Sequence, residues 1–139
     1  MIIKIKIIAL IISILLLLLA LTRECYLVEG KTSIGSFGLI SFLLGWLNIS
    51  LSGISWLANP LLILSYIFLF KNEKWAIGFS LLALGFSLSF LFVNNILVNE
   101  AGHTGKITGY LSGYWFWVAS IGVIFISSLV LTFMPKNSV

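Results

Sequence analysis

Long apolar runs separated by short charged loops make up this chain. Lys4 and Lys6 precede an unbroken apolar run over residues 7–21, and further runs fill residues 54–70, 75–94 and 111–134. Each lies near the roughly 20 residues that a helix needs to cross a bilayer. Polar and apolar positions do not alternate at period two inside them, as barrel strands would require. The pattern predicts an all-α, polytopic membrane protein. Its transmembrane helices fall at about 3–22, 54–70, 75–94 and 111–134, in a single domain of 139 residues.

Residues 36–70 break this rhythm. A continuous helix of that length would run to about 50 Å, against a hydrocarbon core of about 30 Å. Two spans would need a turn, and only residues 48–53 offer one. The cationic residues decide between the two readings. With residues 36–50 lying in the interface or re-entering, Lys4, Lys6, Lys71, Lys74 and Lys136 share one side with Glu73. Arg23, Lys31 and Lys106 then share the other with Glu24, Glu29 and Glu100. That excess of lysine marks the cytoplasmic side. A fifth span would move Lys71, Lys74 and Lys136 outside and reverse the bias. The expectation is four helices plus an interfacial or re-entrant segment before helix two, with both termini cytoplasmic.

That segment runs into GWLNISLSGISWLANP, residues 45–60, where tryptophans, glycines, polar side chains and a proline collect in apolar surroundings. Trp46 and Trp56 suit headgroup depth. Pro60 removes a backbone donor and biases Asn59 away from helical geometry. Asn59 then has two readings: it caps the start of helix two, or it faces a polar cavity opened by the break. The cap is the preferred one.

Small residues mark contact faces between helices in lipid. Gly105, Gly109 and Gly113 recur every fourth residue into helix four, and Gly113, Ser120 and Ser127 every seventh. Helix three places Ser80, Ser87 and Asn94 at sevenfold spacing, with Ala83 between. These stripes predict that helix three packs on helix four, with Val123 and Leu131 facing lipid.

Composition narrows the function classes. The chain is 60% hydrophobic and 9% charged, with mean hydropathy +1.18, whereas soluble domains are about 25% charged. The net charge of +4 is scattered in ones and twos and forms no basic stripe for nucleic acid. A single cysteine, Cys25, excludes an internal disulfide. Apart from Lys4 and Lys6, the spans carry no ionisable side chain, the usual mark of proton relays. Small multidrug transporters share four spans but depend on a glutamate embedded in helix one, which residues 7–21 lack. Cys25, His103 and the loop glutamates show no metal-ligand or nucleophile spacing. The Asn48-Ile49-Ser50 triplet matches a glycosylation acceptor but sits in apolar sequence. Tyr114, Trp115 and Trp117 read first as an aromatic belt and second as the lining of a lipid or apolar-ligand site. Residues 1–22 read as an uncleaved first helix, since Ala20-Leu21-Thr22 is a poor cleavage site.

The motifs GWL, SWLANP and GYWFWVAS together resemble a scattered set of small uncharacterised bacterial inner-membrane proteins, over residues 45–60 and 109–120. The resemblance implies location in the inner membrane and no activity. The functional expectation is a non-enzymatic accessory or protective (immunity-like) component that packs against a membrane partner or a second copy of itself, needing no cofactor or metal. The alternative is a small transporter or channel component with a cavity at Asn59 and Pro60.

Overall fold

Each long apolar run forms a helix with small residues, alanine and serine above all, along its inward stripe. In the computed structural model, which describes residues 1–48, 51–99 and 101–135, the order is α1 (Ile2–Leu21), β1 (Tyr26–Val28), α2 (Gly38–Leu44), α3 (Leu51–Trp56), α4 (Ala58–Lys71), α5 (Glu73–Ser89), β2 (Asn95–Leu97), β3 (Thr104–Tyr110) and α6 (Ser112–Phe133). Lys136, Glu100 and the Ile49-Ser50 part of the acceptor triplet lie outside the described residues. Among the described residues, four stretches are long and apolar enough to cross a membrane: Ile2–Leu21, Gly53–Lys71, Glu73–Phe92 and Ser112–Phe133. Gly38–Leu47 is apolar but too short: ten helical residues reach about 15 Å. Chain order makes neighbouring long helices antiparallel. The sheet lies at one end of the bundle, and the N-terminus, the turn at Asn72 and the end of α6 lie at the other.

The buried positions recur at alternating intervals of three and four. On α1 they are Lys6, Ala9, Ser13 and Ala20; on α4, Ala58, Leu62, Ser65 and Leu69, with Asn59 buried beside Ala58. On α5 they are Ala76, Ser80, Ala83 and Ser87; on α6, Tyr114, Ile121, Ile124, Ser128 and Leu131, with Gly113 and Ser120 buried beside them. A 3.5-residue period keeps one face toward the neighbours, as in left-handed bundles. α6 packs along both α1 and α5, and α5 packs along α4, while α1 and α4 touch only lightly.

Serine runs through these stripes because its hydroxyl can be satisfied locally. Ser65, Ser80, Ser87 and Ser120 donate to carbonyls three or four residues back, at 2.6–2.9 Å. Ser13 instead joins three helices. It donates to the Ser120 carbonyl at 2.7 Å and lies 2.8 Å from the Tyr66 hydroxyl. Its one hydrogen is used on Ser120, so Tyr66 is the donor in the second bond.

Two expectations about small residues are corrected here. Gly105 and Gly109 lie in β3, opposite Ile96 and Leu27, and belong to no helical face. Leu131 is fully buried in the core and does not face lipid. The buried stripe of α6 is centred one residue beyond the Gly113, Ser120, Ser127 series.

The segments after α1 and between α5 and α6 combine into an antiparallel sheet of order β1-β3-β2. Glu29 and Gly30 both take positive φ, 52° and 77°, in a tight turn closed by Val28 and Lys31, the geometry that hairpin turns favour. At Gly105 a Cβ would overlap the Val28 side chain, which explains glycine where the strands are covered. Beneath the sheet, Tyr26, Phe90, Tyr110 and Tyr114 form an aromatic cluster with ring centroids 5.1–5.9 Å apart.

At the opposite end, Lys6 Nζ pairs with Glu73 Oε1 at 2.9 Å, with side chains only 9% and 14% exposed. Asn72 caps α5 by accepting from the Lys74 amide at 3.1 Å. Trp75 stacks with Phe79 and contacts Phe68 beside it.

Candidate functional site

The light contact between α1 and α4 leaves space at the sheet end, and α2 fills only part of it. Gly38 N donates to the Arg23 carbonyl at 2.9 Å, and a Cβ on Gly38 would overlap the Ala20 carbonyl oxygen. This contact pins the start of α2 to the end of α1. The chain then turns through the 3-10 segment Gly45–Leu47. Trp56 Nε1 reaches back to the Phe42 carbonyl at 2.6 Å, and a Cβ on Gly45 would sit 2.9 Å from the Trp56 ring. So α2, the 3-10 turn and α3 form a compact hairpin against the bundle.

A partly open cavity of about 170 Å³ remains between this hairpin, the bundle and the sheet. Leu17, Ala20 and Leu21 of α1 line one side, with Phe42, Leu44 and Trp56 of the hairpin across from them. Tyr114, Trp117, Phe90 and Asn59 close the bundle side. None of the described lining residues is charged. The volume slightly exceeds the roughly 150 Å³ apolar cavity known to hold benzene.

Polar groups on this cavity are almost all paired within the protein. Tyr26 OH and Ser41 Oγ both donate to the Gly35 carbonyl, at 2.9 and 2.7 Å. Tyr114 OH donates to the Ser87 carbonyl at 2.9 Å, and Ser55 and Ser89 hydroxyls are 2.9 Å apart. Trp117 Nε1 donates to Asn59 Oδ1 at 2.9 Å. Asn59 is 4% exposed, and its amide nitrogen has no hydrogen-bond partner among the described residues. Asn48 Oδ1 is buried and also without a partner.

The preferred cap role for Asn59 is therefore overturned. α4 has no side-chain cap, and the Asn59 carbonyl oxygen is used 58 residues away, on Trp117. The break itself is present: regular helix is interrupted at Leu57, three residues before Pro60. Pro60 has no N–H for the Trp56 carbonyl four residues back. Trp56 lines the cavity, whereas Trp46 is 56% exposed and bonds only the Leu43 carbonyl of its own turn, at 3.0 Å.

The remaining candidates divide. Ser80, Ser87 and Ser120 are fully buried; the Ser87 carbonyl faces Tyr114 of α6, whereas the Ser120 carbonyl accepts from Ser13 of α1. Gly113 is buried too, but a Cβ there would meet the Glu24 and Arg23 carbonyls at 2.7 and 2.9 Å, so its close neighbour is the segment after α1. Asn94 is exposed beyond α5 and takes part in the sheet only through its carbonyl, which accepts from the Ile107 amide at 2.9 Å. Of the aromatic trio, Tyr114 and Trp117 line the cavity and Trp115 faces outward. Sequence reasoning missed Ser41, Ser55 and the end of α1 as lining, because nothing local distinguishes them from other span residues. Among the described residues no three of His, Cys, Asp and Glu converge as metal ligands.

Cys25 lies at the cavity edge, half-buried. Burial, reinforced by the Glu24 charge, pushes its thiol from 9.0 up to about 12. Burial likewise pushes the Tyr26 hydroxyl from 10.0 up to about 12. Both groups are held neutral by the fold and ionise more readily when unfolded. Their contribution to stability is complete below pH 9 and is lost as pH rises toward 12. Melting temperature in detergent should hold from pH 7 to 9 and then fall. At pH 8 the thiolate is far scarcer than at an unshifted thiol, so maleimide should modify Cys25 slowly until the protein is unfolded.

No family model, curated protein or solved structure matches this chain.

Proposed function

We propose that this chain is a non-enzymatic, multi-pass protein of the bacterial inner membrane, with both termini cytoplasmic and the sheet outside. The observation that carries this reading is where the large apolar side chains lie. Ile7, Ile8, Ile11 and Leu15 of α1, Ile63 and Ile67 of α4, Leu81 and Leu82 of α5, and Ile126 and Val130 of α6 all face outward. The inward stripes of α1 and α5 carry alanine and serine, and those of α4 and α6 mix serine with leucine and isoleucine. In water such faces would far exceed the few hundred Å² of apolar patch that soluble monomers expose; lipid solvates them at no cost. Lys4, Lys6, Lys71 and Lys74 lie at the end away from the sheet, which supports placing that end in the cytoplasm. The protein should stay in the membrane pellet through an alkaline carbonate wash and leave it only with detergent. Release by carbonate alone would contradict membrane insertion.

Within that setting the reading is an accessory or protective component that engages a membrane partner. Ser80, Ser87 and Ser120 are buried inside the bundle, so partner contacts fall to outward surfaces. Gly78 and Gly85, seven residues apart on α5, are exposed and meet nothing within 4 Å of an added Cβ. They offer a shallow groove that another helix could approach closely.

The cavity favours a second reading, a small transport-related component. Leu62, Leu69, Ile121, Ile124 and Leu131 fill the bundle beyond it, each 0–1% exposed. A cavity closed at one end supports holding a ligand rather than conducting one.

A further inference from the structure

We propose that the cavity binds an uncharged acyl chain carrying a carbonyl oxygen, with the carbonyl accepting a hydrogen bond from Asn59 Nδ2. The inference rests on the membrane setting proposed above and on the cavity as a ligand site. It is carried by one atom. Asn59 is 96% buried, lines the cavity and has its Oδ1 committed to Trp117, yet its amide nitrogen has no partner among the described residues. A donor on an otherwise buried side chain that finds no protein partner must be met by water or by a ligand, and such a ligand must bring an acceptor.

The surroundings define the rest of the ligand. Leu17, Leu21, Phe42 and Leu44 provide an apolar chamber large enough for a short run of methylenes or one aromatic ring. No described lining residue supplies a positive charge, so a carboxylate or phosphate would be desolvated without compensation. An ester or similar neutral carbonyl fits both halves. The site lies where α4 and α6 begin and α1 and α5 end. In a bilayer that is the depth at which ester carbonyls of glycerolipids meet their chains, so the source is either a bilayer lipid or a free neutral amphiphile.

The test places the protein in nanodiscs of ether-linked phosphatidylcholine, which has no acyl carbonyl. Three photoreactive diazirine probes of equal chain length are compared: a methyl ester, the free carboxylate and the plain hydrocarbon. Adducts are mapped by peptide mass spectrometry. The methyl ester should label the end of α1 and the Trp56 and Trp117 peptides saturably, with roughly tenfold higher apparent affinity than the hydrocarbon, as one hydrogen bond to a buried donor implies. The carboxylate should bind more weakly than the ester. The double substitution Asn59→Leu with Trp117→Phe removes donor and partner together, so it leaves no stranded group, and it should reduce the ester to the hydrocarbon's affinity. Leu44→Trp, at a half-exposed lining position, should weaken both probes by narrowing the chamber. Competition by ester-linked phosphatidylcholine would assign the site to bilayer lipid; saturable ester labelling without that competition would assign it to a free amphiphile. Equal affinity for ester and hydrocarbon, or tighter binding of the carboxylate, would overturn the carbonyl assignment while leaving the cavity a ligand site. Adducts spread over outward faces alone would overturn both.

Discussion

Glu73→Ala should destabilise the bundle by about 3 kcal/mol, the lower end of the range for breaking a buried ion pair from one side. The reason is what it leaves behind. Lys6 is buried, and Glu73 is the carboxylate beside it, at 2.9 Å. Without it an ammonium group is stranded between α1 and the turn joining α4 to α5. Lys6→Met should cost less, since Glu73 remains in the first turn of α5, where the helix dipole favours an acid. The double variant should recover most of the loss, because no charge is then stranded. Unfolding followed by far-UV circular dichroism during titration of a denaturing detergent measures all three. Equal small losses, under about 0.5 kcal/mol, would mean that Lys6 reaches water by snorkelling and that the pair is incidental.

Gly38→Ala should be nearly as damaging, and the contrast with other glycines makes the result specific. An added Cβ at Gly38 would overlap the Ala20 carbonyl and lie 3.0 Å from the Arg23 carbonyl, both rigid backbone. α2 would have to lift from α1, losing the Gly38–Arg23 hydrogen bond and opening the cavity wall. Overpacking of this kind costs about 1–3 kcal/mol. At Gly78, Gly85 and Gly122 the same substitution meets nothing within 4 Å. There alanine should be neutral or stabilising by up to about 1 kcal/mol through helix propensity. The same thermal and detergent melts read both classes. Similar effects at Gly38 and Gly78 would remove the case for the close α1–α2 contact.

The four long apolar helices were legible because lipid-scale hydrophobicity is a property of composition over about 20 residues and needs no tertiary information. The shortness of residues 36–50 was legible for the same reason. The sheet was not. Gly105 and Gly109 sit four apart and read as a helical face, yet Thr104 to Tyr110 also alternates around Ile107 as a strand does. Only pairing with Tyr26–Val28, some 80 residues earlier, decides between them. Leu131 was misplaced because every span position is apolar, so sequence alone does not tell an inward leucine from an outward one. The small serines were better guides, since they mark the crowded side. At Asn59 the presence of a break was readable from Pro60. The partner was not, because Trp117 lies in another helix and its indole gives no local sign of the bond it makes.

The central claim is a four-span bundle with the sheet and cavity at the outer surface. Cysteine accessibility tests it most directly. In a Cys25→Ala background, single cysteines replace Thr104 in the sheet and Lys74 at the far turn, both exposed. Intact cells are treated with a membrane-impermeant maleimide, then lysed and treated again. The cysteine at 104 should react in intact cells, and the one at 74 only after lysis. The reverse pattern would invert the orientation, and equal reaction of both in intact cells would contradict a bundle that separates the two ends across a membrane.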